Sequence, residues 1–123
     1  MLHEEIASFF QVPPQEVGNN RGWKYYIQEK NDTYSITEEI LSKGTMIELF
    51  FNEDDEIRLV LYKDGQPITT IQRIGVQKVD IIKEEETLQF VLDRMPSRMI
   101  RLQLKPFLAI EMGLYWEVCE DCE

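Results

Sequence analysis

The chain has 123 residues, 43% hydrophobic and 29% charged, with 13 basic and 23 acidic side chains and a net charge of −10. That length predicts a single domain, residues 1–123, with a core of its own, and 11% aromatic content excludes a disordered polymer. The negative balance argues against nucleic acids and anionic membranes as partners, since both recruit cations.

Residues 1–11 read as a short helix. Leu2, Ile6, Phe9 and Phe10 recur at helical spacing, Glu4 and Glu5 suit the positive end of a helix dipole, and Pro13 and Pro14 stop it. These residues lack the basic start and continuous apolar stretch of a signal peptide. "QEVGNNRG" reads as a turn-rich connection.

From Trp23 the period becomes two. In "WKYYIQEK", Trp23, Tyr25 and Ile27 share one face, and Lys24, Tyr26 and Gln28 the other. "RGWKYY" resembles the Gly-x-Trp of lipocalin-like barrels, with Gly22 and Trp23 adjacent here and the other motifs of that family missing. No residue role is carried over from it. "YSITEEILSKG" admits two readings. One is a strand with Tyr34, Ile36 and Ile40 on one face. The other is a helix with Ser35 and Glu38 as a capping box and Gly44 beyond its end. The flanking strands favour the first.

"TMIELFF" and "EIRLVLYK" predict two further strands around the acidic turn "NEDD". Asp64-Gly65 predicts a tight hairpin, because both central residues tolerate positive φ. "PITTIQRI" and "VQKVDII" follow on either side of Gly75. "LQFVLD" and "MIRLQLK" come next, with Leu88, Phe90 and Leu92, then Ile100, Leu102 and Leu104, turned inward. The most regular segment is "FLAIEMGLYWEVC". There Leu108, Ile110, Met112, Leu114, Trp116 and Val118 alternate strictly, which predicts a core-lining strand.

The expected fold is therefore mainly β. It is an antiparallel meander of eight or nine strands over residues 22–118, either a strongly curled sheet or a closed barrel, with the helix at one end. Residues 119–123 form an acidic tail. An open sheet would leave two edges, so a homodimer is a reasonable expectation.

Catalytic constellations are sparse. His3 is the single histidine, and the chain carries no nucleophile elbow, phosphate loop, dinucleotide fingerprint or zinc-protease helix. No cofactor is expected. Cys119 and Cys122 form a Cys-x-x-Cys wrapped in Glu117, Glu120, Asp121 and Glu123. Those acids disfavour the thiolate, and a structural zinc needs four ligands, so no metal is assigned there beyond a weak zinc possibility. Reduced thiols without an export signal suggest the cytoplasm. Asn52, Asp54 and Glu56 lack calcium-loop spacing, and the acidic turns read as solvated. Glu38, Glu48 and Glu111 fall within strands and are expected to face outward.

Against this acidity, Arg94 to Lys105 holds four cations and no acid. Arg94, Arg98, Arg101 and Lys105, interleaved with Met95 and Met99, make a candidate contact surface for a protein partner. The competing reading pairs these cations with acids on neighbouring strands. The predicted role is a non-enzymatic interaction or assembly module whose partner is unknown. The alternative is a lipocalin-like carrier or sensor holding a small ligand among Trp23, Tyr25, Tyr115 and Trp116. A third reading, acidic mimicry of a nucleic acid, fits poorly with the basic stretch.

Overall fold

The computed structural model describes residues 2–18 and 21–114. Helix α1 (Leu2–Phe10) precedes β1 (Gln15–Val17), β2 (Gly22–Lys30), β3 (Thr33–Thr37), β4 (Thr45–Asn52) and β5 (Glu56–Lys63). The long β6 (Gln66–Ile82) follows, then β7 (Thr87–Leu92), β8 (Arg98–Gln103) and β9 (Ala109–Leu114). All ladders are antiparallel, in the order β1-β2-β4-β5-β6-β7-β8-β9, with β3 also on β2.

The predicted meander is present, and "QEV" adds β1, a strand where a turn was expected. The sheet is not closed, which corrects the closed-barrel alternative: among the described residues β9 pairs only with β8, and β1 and β3 only with β2. The two ends meet through a side chain instead, the Leu108 N–H donating to Glu29 Oε2 at 2.8 Å.

The turns follow from their residues. Asp64 and Gly65 have φ of 50° and 81°, joining the paired Lys63 and Gln66 in a two-residue hairpin. At the β4–β5 turn Asn52 Oδ1 accepts the N–H groups of Asp54 and Glu56, each at 3.0 Å. Its oxygen is thus spent on the backbone rather than held out for an ion. Helix α1 ends at Gln11, φ 62°, whose N–H still reaches the Ala7 carbonyl at 2.9 Å. Segment 33–44 resolves as strand β3 followed by irregular chain. Gly44 (φ 87°) exchanges backbone and side-chain hydrogen bonds with Asp64. Gly75 does not interrupt β6. It is the handover point, since Gly75 pairs with Glu56 of β5 and Val76 with Leu92 of β7.

The core collects Ile6 and Phe10 of α1 with Tyr25, Ile27, Ile47, Leu49, Phe51, Leu59, Leu88, Phe90, Ile100 and Leu102. Two segments depart from their predicted patterns: Ile40, expected on a strand face, is 43% exposed in the irregular chain after β3, and part of the apolar row of β9 is exposed. Leu108 is buried, but Met112 and Leu114 are 62% and 47% exposed. Alternation defines two faces, and on an edge strand nothing described lies over this one.

Two core-facing phenols couple folding to pH. Tyr25 is buried with its hydroxyl donating to the Val12 carbonyl, and burial pushes its pKa up to about 12. Tyr34 also rises to about 12, first through burial and then through its hydrogen bond to Glu86 and that carboxylate's charge. Unfolded tyrosine titrates near 10, so the folded state keeps protons that the unfolded chain releases. Stability is expected to hold below pH about 10 and to fall between about 10 and 12. Melting temperatures across that window check this, and Tyr25→Phe and Tyr34→Phe should each flatten the decline.

Candidate interaction surface

The predicted basic stretch divides in the structure. Arg94 and Met95 sit in the β7–β8 turn, closed by Arg98 N–H to the Met95 carbonyl at 2.8 Å, and all three are exposed. Among the described residues, neither Arg94 nor Arg98 forms an ion pair. The remaining members turn to other tasks. Met99 is buried. Arg101 donates to Gln89 Oε1 at 3.0 and 3.3 Å and lies 3.7 Å from Glu111 across the β8–β9 ladder. Lys105 lies 3.3 Å from Glu86. A cross-strand pair thus engages Arg101 and a pair between turns engages Lys105, which leaves Arg94 and Arg98.

Two residues assigned to the core join them. Register places Leu114 opposite Arg98 and Met112 opposite Ile100. A cation-bordered apolar row therefore runs along the edge of β9, near Met95, which is 48% exposed. The missed signal was position: this strand comes last in the described meander, where a covered second edge is not guaranteed.

The aromatic candidates pack together. His3 stacks on Trp23 with centroids 4.0 Å apart, and Phe51 contacts Trp23 at 5.8 Å and Tyr25 at 6.0 Å. Phe10 closes on Tyr25 at 4.5 Å. Trp23 and Tyr25 therefore sit in a continuous aromatic stack. Tyr115, Trp116, Cys119 and Cys122 lie outside the described residues, as does the acidic tail. Among the described residues no group of His, Cys, Asp and Glu has metal-binding geometry. No helix among them is long and apolar enough to cross a membrane.

A second charged cluster, not foreseen from sequence, occupies the opposite face of β2, β4 and β5. Glu48 faces away from the main core, as expected, yet is only 6% exposed. Its Oε2 accepts from Arg58 Nη2 at 2.9 Å and its Oε1 from the Tyr62 hydroxyl at 3.2 Å. Burial pushes the Tyr62 pKa up, and the Glu48 charge and hydrogen bond add to the shift. Lys24 Nζ contacts the Tyr26 hydroxyl at 3.0 Å.

The family model described as Protein of unknown function (DUF3979) matches residues 8–121, so the chain belongs to that family. No curated protein and no solved structure matches it.

Proposed function

We propose that this member of a family without an assigned role is a non-enzymatic protein-interaction module of the cytosol, and that it receives its partner along β9. The observation carrying this reading is the exposed row of Met112 and Leu114 beside Arg98, on an edge strand of a chain with net charge −10. The two edges contrast. The far edge consists of strands of three and five residues, the first preceded by Pro13 and Pro14. Short strands and prolines protect an edge from unwanted pairing. β9 offers six residues with neither proline nor lysine.

The matching partner is an extended segment that alternates apolar and acidic side chains. Its backbone would hydrogen-bond to β9, its apolar side chains would cover Met112 and Leu114, and its carboxylates would meet Arg94 and Arg98. Replacing Arg94 and Arg98 together by Glu should weaken capture of the partner at least about tenfold, roughly 1.4 kcal/mol. The melting temperature should stay unchanged, because neither side chain forms an ion pair among the described residues. Met112→Lys should act the same way by charging the edge. Undiminished capture by both variants in a binding titration would sink the reading.

A cleft of about 450 Å³ between α1 and the sheet, lined by Phe9, Phe10, Tyr34, Ile81, Lys83 and Glu86, keeps the carrier reading as second choice, with residues other than Trp23 and Tyr25.

A further inference from the structure

We propose that the outer face of β2, β4, β5 and β6 is a binding site for a phosphoryl group, free or carried on a small organic molecule. The site follows from register. Lys24 of β2 stands opposite Phe50 of β4, and Phe50 opposite Arg58 of β5. Two cations thus flank one aromatic ring in a row across three strands.

The fourth strand completes the row through a bulge. The β5–β6 ladder shifts register between Ile57/Ile74 and Leu59/Ile71, so Gln72 and Arg73 together oppose Arg58. A bulge re-aims the side chains it carries. Here the Arg73 guanidinium lies over the Phe50 ring, 5.1 Å from its centroid. Lys24, Arg58, Arg73 and Gln72 consequently line one open depression of about 600 Å³, together with Val17, Phe50 and the Glu48 carboxylate that holds Arg58.

Each cation is held without being neutralised in full. Glu48 fixes the orientation of Arg58 through one nitrogen, and both of its oxygens are already engaged. The described partners of Lys24 are the Tyr26 hydroxyl and ring, both uncharged. Arg73 has Glu56 at a long 3.9 Å, and that same oxygen already accepts from Asn52 at 2.9 Å. The Phe50 ring beneath Arg73 is pinned in turn. It rests against Gly22, where a Cβ would come within 2.6 Å of Cε2. Three converging cations, one oriented by a buried carboxylate and one by a locked ring, provide donors for a group with three acceptor oxygens and a double negative charge.

The test is a titration of the ¹⁵N-labelled full chain at low ionic strength with inorganic phosphate and with glucose 6-phosphate, against sodium chloride at matched ionic strength. Saturable shifts of the Lys24, Phe50, Arg58, Gln72 and Arg73 amides are expected with phosphate or its ester, and not with chloride. Arg73→Ala, at an exposed side chain, and Lys24→Ala, at a half-buried one, should each weaken binding about tenfold, whereas Arg98→Ala should not. Tighter binding of the ester would assign the site to a phosphorylated small molecule, and equal binding to the free ion. Absence of saturation at 10 millimolar (roughly the weakest affinity three charge-assisted contacts should give), shifts matched by chloride, or affinity unchanged in both alanine variants would overturn the proposal.

Discussion

Phe51→Ala is expected to cost about 3–5 kcal/mol of folding free energy, the range for deleting a fully buried phenylalanine. Phe51 is completely buried and joins three rings: His3 from α1 and Trp23 and Tyr25 from β2. Removing it leaves a cavity that stiff aromatic neighbours on a paired sheet cannot collapse, so the cost belongs to the upper part of that range. For a chain of this length the melting temperature should fall by roughly 10–20 °C. The same truncation at Met112 should cost less than about 0.5 kcal/mol, since that side chain is already 62% exposed. Denaturant unfolding of both variants measures the contrast. Equal losses would mean that β9 is buried after all.

The second large effect is an asymmetry within one ion pair. In the Glu48–Arg58 pair the carboxylate side chain is 8% exposed and the guanidinium 40%. Arg58→Leu strands a buried carboxylate whose one remaining partner among the described residues is the Tyr62 hydroxyl. Breaking a fully buried pair costs about 3–5 kcal/mol; with Arg58 partly solvated, a loss of about 2–3 kcal/mol is expected. Glu48→Leu leaves a cation that can turn toward water, so its loss should be under about 1 kcal/mol. The double variant should recover most of the stability lost in Arg58→Leu, because no buried charge remains. A thermodynamic cycle over the four proteins reads out the coupling directly. Additive losses would show that the pair is energetically inert.

What the residues announced in advance was mostly local. The Asp64-Gly65 hairpin, the helix stop before Pro13 and the inward faces of β7 and β8 depend on neighbours a few positions away, and each stands in the structure. Pattern failed where coverage decided the outcome. The alternation through Met112 and Leu114 marks an apolar face correctly, but whether that face is covered depends on what lies beyond the strand. In β4 the reverse holds. Met46, Glu48 and Phe50 point away from the core yet are buried, because Tyr26, Arg58, Val60 and Tyr62 close over them from both adjacent strands. The basic stretch was visible as composition, but its division into Arg94 and Arg98, without an ion pair among the described residues, and tethered Arg101 and Lys105 required the tertiary structure. The row of Lys24, Phe50 and Arg58 joins residues up to 34 positions apart, and a bulge adds Arg73 to it. No reading of a single segment brings them together.

Strand β6 serves β5 with its first half and β7 with its second. Its length is therefore constrained by two ladders at once. The β6–β7 ladder already carries one extra residue, Gln77, between the paired Val76 and Lys78, so a deletion there can be absorbed, whereas losing Asp80 would turn Ile81 away from the core. The irregular stretch between Thr37 and Gly44 belongs to no ladder and can lengthen at little cost. Insertions and deletions that persist through evolution should accumulate there rather than in the regularly paired stretches of β6.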